Sequence, residues 1–310
     1  MGGRPSLGFG YASGAFLFLL FWIASVAVAQ TLPARAAVPP SSATPASAQT
    51  AAPQSPLVRV ADGRWVVPEL ARIINRGALI VALHAKDTPP FVYEKDGILA
   101  GVDIELVQRI GDHLKVPLQF DRSAKTYDEV AQKVAVGQAD VGVSKLARTL
   151  KRAESMLFSD PYMRLEHSLL INRLAFAGMA RNQAVAQALR NFNGTIGVLA
   201  GSAWEEFARR NFAYATVVPF PTWSKAVEAV KKGKVVAAYR DGMEVRAVMA
   251  EDSQLALTLR TVSFTDLASM LCVVVGSRDV VLRSLINEIV ANQKEPPTVD
   301  KLLKRMAAIK

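Results

Sequence analysis

Residues 140–152 read Asp-Val-Gly-Val-Ser-Lys-Leu-Ala-Arg-Thr-Leu-Lys-Arg, a short apolar run followed at once by a basic segment. The run Val141–Ser144 predicts a buried strand. The basic segment Lys145–Arg152 leaves the carboxyl end of that strand, where open α/β sheets bind their ligands. An arginine there can hold a carboxylate through two parallel hydrogen bonds, although a solvated helix face explains a lysine such as Lys151 equally well. The segment therefore indicates an α/β domain with an anion-binding edge.

On both sides of this segment, short apolar runs alternate with helical periods. The predicted strands are 79–83, 117–120, 141–144, 195–199, 235–239, 255–262 and 270–275. The predicted helices are one capped by Asp103, two opened by the capping boxes Thr126-x-x-Glu129 and Ser202-x-x-Glu205, and four over 225–232, 243–250, 280–290 and 299–306. This alternation predicts an α/β fold with largely parallel sheets, and the two similar series favour two lobes.

A second candidate site lies where the predicted strand Thr195–Leu199 runs through Ala200 and Gly201 into a helix capped by Ser202. A glycine lets a ligand approach the backbone closely, and a helix N-terminus offers free N–H groups and a partial positive charge. The site suits a carboxylate, and an ordinary strand-to-helix turn is the alternative.

The N-terminus predicts export. Arg4 supplies a small positive region, residues 15–24 (AFLFLLFWIA) form an unbroken apolar run, and Ala27-Val28-Ala29 is an A-x-A cleavage site. These features indicate a secretory signal peptide over residues 1–29. A transmembrane anchor is the alternative, but spanning needs roughly 20 apolar residues. We expect a periplasmic protein without a lipid anchor, because no cysteine lies near the cleavage site.

Residues 30–57 are rich in Ala, Pro and Ser and predict a disordered linker. The single cysteine, Cys272, cannot form an internal disulfide, which is compatible with a bacterial periplasm. It lies in an apolar run, so we expect a buried, inert thiol.

The net charge of +10 comes from scattered lysines and arginines. We expect a solvated basic surface and no nucleic-acid partner. The sequence contains no Gly-rich phosphate loop, G-x-S-x-G or H-E-x-x-H motif. The three histidines, His84, His113 and His167, show no metal-ligand spacing. We therefore expect no cofactor and no metal, and we find no strong signal for an enzyme.

Seven short motifs follow one another in register along the chain. They are Pro89-Pro90-Phe91, GVDIEL at 101–106, Tyr127 with Gly137-x-x-Asp140, the opening segment 140–152, FSDPY at 158–162, Gly201-Ser202 and AAYRD at 237–241. Together they resemble the extracellular solute-binding proteins of family 3, the amino-acid-binding group of the type II periplasmic fold. The resemblance covers about residues 68–308.

The resemblance implies two α/β lobes, each a mostly parallel sheet flanked by helices. Two crossing strands near 169–173 and 262–271 would form the hinge. Lobe 1 would comprise residues 58–170 and 265–310, and lobe 2 residues 171–264. The lobes would close over a ligand by a hinge motion.

It also implies roles for single residues. Arg152 matches the arginine that holds the α-carboxylate of the ligand, and Ser202 would assist it. Asp241 matches the carboxylate that pairs with the α-ammonium. Tyr127 would help line the pocket for the ligand's side chain.

The chain departs from the family pattern near the expected ammonium site. Lys145 and Ala147 stand where small hydroxyl or glycine residues are usual, Arg148 replaces an apolar residue, and Arg240 precedes Asp241. A lysine there repels an ammonium unless it pairs with Asp241 or points away. With Lys145 and Arg240 facing inward, the cleft would favour an acidic amino acid, a dicarboxylate or a keto acid. Surface positions for Arg148 and Arg240 are the alternative.

Three functions fit the resemblance. The first is a monomeric receptor that captures a small carboxylate ligand, an amino acid or a relative, for an inner-membrane ABC permease. The second is a cyclohexadienyl (prephenate or arogenate) dehydratase-like enzyme, which needs a catalytic acid in the cleft. The nearby glutamates are Glu205 and Glu206, and helix capping explains Glu205. The third is an accessory protein of a periplasmic dehydrogenase. We favour the binding protein over the enzyme.

Overall fold

The computed structural model describes residues 56–181, 183–295 and 297–309. The predicted signal peptide lies outside the described residues, as does the predicted linker up to residue 55. Within the described ranges, no helix has both the length and the apolar content needed to cross a membrane.

The strands are β1 (Val58–Arg59), β2 (Trp65–Val66), β3 (Leu79–His84), β4 (Tyr93–Lys95), β5 (Ile98–Ala100), β6 (Leu118–Ala124), β7 (Val141–Gly142), β8 (Met156–Phe158), β9 (Met163–Asn172), β10 (Thr195–Leu199), β11 (Thr216–Phe220), β12 (Ala237–Asp241), β13 (Leu259–Leu271) and β14 (Val274–Gly276). The helices are α1 (Pro68–Arg76), α2 (Val102–Leu114), α3 (Tyr127–Ala135), α4 (Leu150–Ala153), α5 (Arg173–Ala180), α6 (Val185–Arg190), α7 (Ala203–Asn211), α8 (Trp223–Lys231), α9 (Gly242–Glu251), α10 (Leu255–Thr258), α11 (Val280–Ala291) and α12 (Val299–Ile309).

Lobe 1 is built on a five-stranded sheet with the order β6-β3-β7-β14-β8. Strand β3 is parallel to β6 and β7, whereas β14 is antiparallel to β7 and β8. Nearly every residue of β3 is buried, as its continuous apolar run requires of a central strand. Helix α3 packs on β3 and β14, and α11 packs against α1 and α2.

Lobe 2 is built on a second five-stranded sheet with the order β11-β10-β12-β9-β13. Strand β10 is parallel to β11 and β12, and β9 is antiparallel to β12 and β13. Helices α7 and α8 pack on β10, and α9 packs on β9. Both sheets therefore combine a parallel half with an antiparallel half, which makes them less uniformly parallel than the sequence predicts.

The long strands β9 and β13 pair from Leu259 opposite Asn172 to Leu271 opposite Met163, with a register shift between Phe264 and Ala268. They are the two crossing strands that the resemblance implies, and β9 begins ahead of the expected segment. The predicted lobe boundaries at 170/171 and 264/265 fall inside these two strands and stay predictions.

Two predicted strands are wrong in detail. Residues 255–258 form the short helix α10, and β13 begins only at Leu259. The predicted strand 270–275 is divided, because the chain passes there from one sheet to the other. In the passage, the Cys272 N–H donates to the Leu146 carbonyl (2.9 Å) and the Val273 N–H to Ser159 Oγ (3.0 Å).

Helix α2 begins differently from the prediction that Asp103 caps it. Its N-cap is Gly101, and the Val102 and Asp103 N–H groups donate to the carbonyls of Pro90 (3.1 Å) and Phe91 (3.0 Å). The Asp103 side chain is buried inside the first turn, where it accepts bonds from the Tyr162 hydroxyl (2.7 Å) and the Lys145 N–H (2.7 Å). Backbone carbonyls, and not a side chain, satisfy the start of this helix.

The buried His167 on β9 ties the two hinge strands to β12. Its Nε2 contacts Ser269 Oγ on β13 (2.8 Å), and its Nδ1 contacts Tyr239 Oη on β12. Asn211 Nδ2 donates to the same Tyr239 Oη (2.9 Å), and the Trp204 ring packs 4.8 Å from the imidazole. The imidazole is thus enclosed by neutral partners.

We expect Gly101→Ala to destabilise the protein by at least about 2 kcal/mol. Gly101 has φ +121°, and an added Cβ would overlap the Phe91 carbonyl and lie 2.8 Å from the Pro90 carbonyl oxygen. Gly97→Ala is the matched control, because Gly97 has φ +76° and open space around its Cβ position. It should cost only about 1 kcal/mol of backbone strain. Urea denaturation measures both, and equal losses would contradict the steric explanation.

We expect His167 to make stability fall as the pH falls. Burial, with Arg210 and Arg164 adding to it, lowers the pKa of His167 to about 3. Between about pH 6.5 and pH 3 the unfolded chain therefore binds a proton that the folded protein does not, at a cost of up to about 1.4 kcal/mol per pH unit. The stability advantage of the wild type over His167→Gln, measured by urea denaturation from pH 7 to 4.5, should shrink. A difference independent of pH would contradict this.

Candidate functional site

Two neighbouring cavities between the lobes are lined by predicted site residues. The larger has a volume of about 320 Å³, within the range of small-molecule sites. Its lining residues come from both lobes: His84, Lys86, Asp87, Thr88, Pro89, Phe91, Lys125, Thr126, Tyr127 and Lys145 from lobe 1, and Leu199, Ala200, Pro221, Thr222, Trp223, Arg240, Met243, Glu244 and Ala247 from lobe 2.

The smaller cavity, about 20 Å³, has room for about one water molecule. Five of the six predicted site residues line it, namely Arg152, Asp241, Ser202, Tyr127 and Lys145. Tyr127 and Lys145 also line the larger cavity. The fold therefore brings these five residues together, but most of the open space lies beside them.

Lys145 forms an ion cluster that spans the cleft. Its Nζ lies 2.9 Å from Asp241 Oδ2 and donates to Glu244 Oε1 (3.1 Å). Lys145 follows β7 in lobe 1, whereas the two carboxylates lie at the end of β12 and the start of α9 in lobe 2. Burial lowers the pKa of Lys145, but Asp241 and Glu244 outweigh it and raise the pKa above its ordinary value. The lysine is thus held as an ammonium, and the pairing with Asp241 considered from the sequence is confirmed.

Local structure fixes both sides of this cluster. Ser144 (φ 147°) and Lys145 (φ 55°) have left-handed backbone angles, which bonds from the Lys145 N–H to Asp103 and from the His84 N–H to Ser144 Oγ (2.9 Å) hold in place. Across the cleft, Asp241 caps helix α9, since its Oδ1 accepts the Glu244 N–H (3.2 Å). The cap places the Glu244 carboxylate one turn beyond Asp241.

Arg240 is buried beside this cluster, with a side chain only 6% exposed. Its guanidinium lies 5.3 Å from the Trp223 ring centroid, and its Nη2 lies 3.5 Å from Glu244 Oε1. Burial by itself lowers the pKa of Arg240, but Glu244 and other neighbours outweigh burial and raise the pKa above its ordinary value. The guanidinium is therefore retained as a cation. Arg240 lines both cavities and is not a surface residue.

Three buried polar atoms at the larger cavity lack a hydrogen-bond partner among the described residues. They are Arg240 Nε, Trp223 Nε1 and Thr88 Oγ1. The two N–H groups can only donate, and a buried donor without an acceptor costs about 1–3 kcal/mol. A molecule that presents oxygen acceptors at this wall would satisfy them.

The carboxyl groups at the larger cavity are already paired. Asp87 accepts from Arg122 (2.6 Å), and Glu244 is held by Lys145 and Arg240. In contrast, no ion pair with another described residue is found for the exposed Lys86 and Lys125. The wall therefore offers free positive charge and N–H donors, but no free carboxylate.

Arg152 is bonded within lobe 1. Its Nη1 donates to the Ala147 carbonyl (2.9 Å), and its Nη2 donates to Asp128 Oδ1 (2.8 Å). Ser202 is also engaged, because its hydroxyl donates to the Leu199 carbonyl (2.6 Å) and accepts the Trp204 N–H (3.3 Å). Their predicted roles toward a carboxylate stay predictions.

Arg148 does not join the other predicted site residues. It is exposed, lines neither cavity, donates to the Ser159 carbonyl, and lies 5.9 Å from the Phe158 ring centroid. The carbonyl and the aromatic ring draw its side chain toward β8, so the surface alternative describes it better.

Further bonds join the lobes beside the small cavity. The Asp128 N–H donates to the Gly201 carbonyl (3.0 Å). The Glu206 carboxylate of α7 accepts the Leu150 N–H (2.8 Å) and the Lys151 N–H (3.2 Å) at the start of α4. Glu206, one of the two glutamates that follow the Gly201-Ser202 pair, thus holds a helix end of the other lobe.

The sequence motifs do not single out three residues that the structure places at the site, namely Glu244, Trp223 and Asp128. Glu244 stands three residues after the N-cap Asp241, a spacing that could have drawn attention to it. Trp223 is the first residue of α8, directly after the N-cap Thr222. Asp128 is the second residue of α3 and directly follows the predicted site residue Tyr127. In the described part of the chain, no group of three or more His, Cys, Asp or Glu residues is placed to hold a metal ion.

Known proteins share this architecture. The family model of bacterial extracellular solute-binding proteins, family 3, matches residues 79–307. Cyclohexadienyl dehydratase of Pseudomonas aeruginosa is 26% identical over 181 residues, which cover 57% of this chain and only 64% of the dehydratase. The L-cystine-binding protein TcyJ of Escherichia coli is 21% identical over 235 residues, covering 75% of this chain and 84% of TcyJ.

Among solved structures, an amino acid ABC transporter substrate-binding protein from Streptococcus pneumoniae, bound to L-arginine, superposes with a TM-score of 0.60 at 21% identity. The match covers 77% of this chain and 98% of that chain. It shows the two-lobed α/β fold of type II periplasmic binding proteins. With the family model matching most of its folded length, the chain belongs to the bacterial extracellular solute-binding proteins of family 3.

Proposed function

We propose that this protein is a periplasmic solute-binding protein that captures a small carboxylate in the larger cavity and delivers it to an inner-membrane ABC permease. The observation that carries the proposal is the pair of buried N–H donors, Arg240 Nε and Trp223 Nε1, without an acceptor at the wall of a 320 Å³ cavity. A carboxylate supplies acceptor oxygens and a negative charge to both.

The rest of the cavity supports the same ligand class. Lys86 and Lys125 are exposed and would attract an anion before it binds. Phe91, Tyr127 and Trp223 would bury the apolar part of a small organic acid. A carboxylate beside Arg240 would also be shielded from water, which strengthens a charge-assisted hydrogen bond.

The comparisons support the class of function more than a particular ligand. TcyJ is named for L-cystine, and the Streptococcus pneumoniae protein is bound to L-arginine. A cationic ligand such as arginine fits this cavity poorly. The described residues that line the cavity include four lysine and arginine side chains and two carboxyl groups, and both carboxyl groups are already paired. We therefore favour an anionic carboxylate over a cationic amino acid.

A dehydratase-like enzyme is less well supported. Of the described residues that line the larger cavity, the carboxyl groups belong to Asp87 and Glu244. Burial raises the pKa of Glu244, but Arg240 and Lys145 outweigh it and hold the pKa well below its usual range. Asp87 is paired with Arg122. Glu244 is therefore held ionised, and Asp87 is engaged in an ion pair, so we propose binding without turnover.

Calorimetry and thermal-shift measurements on the purified protein test the proposal. The panel contains dicarboxylates, keto acids, amino acids including arginine and cystine, and prephenate. At 100 times its dissociation constant, a ligand adds about 2.7 kcal/mol of stability. We expect dicarboxylates or keto acids to give a clear shift. Turnover of prephenate would favour the enzyme, and no response to any carboxylate would overturn the proposal and favour an accessory role.

The variant Trp223→Phe examines the site in the same assay. It keeps an aromatic ring beside Arg240 and removes the indole N–H together with the five-membered ring that carries it, so we expect the affinity for the bound carboxylate to fall about tenfold. The free protein should lose little stability, because the deleted donor has no acceptor among the described residues.

Trp65→Phe is the matched control, because Trp65 is 60% exposed on β2 and lines neither cavity. It should bind like the wild type. Unchanged affinity in Trp223→Phe would place the ligand elsewhere.

A further inference from the structure

The charges around the cleft are unequally available to a ligand. Glu244 and Asp241 share the Lys145 ammonium, whose side chain is only 7% exposed. Asp87 forms an ion pair with Arg122, with Arg122 Nη2 at 2.6 Å from Asp87 Oδ1. Each of these three carboxyl groups therefore has a cation from the protein's own chain.

The Lys145 side chain is held firmly in its place in the cleft. Its backbone is held by Asp103, and its Nζ lies over the Phe91 ring, 5.2 Å from the ring centroid. Moving the ammonium away would expose Asp241 and Glu244 as buried, uncompensated carboxylates, which is strongly unfavourable. The lysine is thus a fixed part of the cavity wall.

An amino group on the ligand would meet this wall. If it approached Asp241 or Glu244, it would come within a few ångströms of the Lys145 ammonium and the Arg240 guanidinium. Like charges at this distance in a partly buried site repel each other. A ligand without an amino group avoids the repulsion and can still use the donors of Arg240 and Trp223.

We propose that Lys145 acts as a built-in cation that selects carboxylates lacking an amino group, such as keto acids and dicarboxylates, and rejects the corresponding α-amino acids. The inference rests on the proposed function, since it names the ligand class of the same cavity. Lys145 is the specificity-determining residue, because it occupies the carboxylates that an amino group needs.

Matched pairs of probes test this selectivity by calorimetry. Succinate is compared with aspartate, and 2-oxoglutarate with glutamate, because the members of each pair differ at the amino-bearing carbon. For the wild type, we expect the member without an amino group to bind at least about tenfold more tightly. Equal affinities, or tighter binding of the amino acids, would overturn the inference and leave the proposed function standing. No binding of any probe or other small carboxylate would overturn both.

Lys145→Gln tests the residue itself, with Lys145→Arg as the control that keeps the positive charge. Removal of the ammonium frees Asp241 and Glu244 for a ligand cation, so the preference should fall at least about tenfold in Lys145→Gln and persist in Lys145→Arg. Circular dichroism and thermal unfolding confirm that each variant is folded. A folded Lys145→Gln protein with the wild-type preference would show that another group sets the selectivity. If this variant does not fold, the wild-type comparison alone still decides whether amino acids are rejected.

Discussion

A buried ammonium held between two carboxylates of the opposite lobe is the constraint on which this cleft depends. Charges are buried at acceptable cost only when they are paired, and loss of one partner leaves the others uncompensated. The surrounding structure serves this pairing. Asp103 and the left-handed angles of Ser144 and Lys145 fix the donor, and the N-cap of α9 fixes Asp241 and Glu244.

This pairing also determines what the cavity can offer to a solute. Because Lys145 uses the carboxylates, the groups left over are donors and cations, above all Arg240 Nε and Trp223 Nε1. The cleft between the two lobes thus presents, in this chain, a wall suited to acceptor oxygens. Specificity follows from which charges the protein has already neutralised, and not from the sign of its net charge.

Much of the fold could be predicted from the sequence, because it depends on local patterns. Apolar runs and capping boxes located β3, β10, α3 and α7, and the motifs from 127 to 241 contain the five predicted site residues that line one cavity. The errors arise where tertiary contacts decide. The Asp103 side chain serves Tyr162 and Lys145 instead of the helix start, and Arg148 turns to a carbonyl. Glu244 and Trp223 were missed because their roles exist only once the lobes meet.

The distance across the cleft tests the central claim most directly. The exposed Lys95 of lobe 1 and Lys225 of lobe 2 would each be replaced by cysteine, and a spin label would be attached to each new thiol. The native Cys272 is buried and should not react with the label. Pulsed electron paramagnetic resonance then gives the distance distribution in the otherwise unchanged protein and in Asp241→Asn/Glu244→Gln. If the Lys145 cluster joins the lobes, we expect one short, narrow distribution that becomes longer and broader in the double variant. Identical distributions would contradict the claim that this ion cluster holds the cleft.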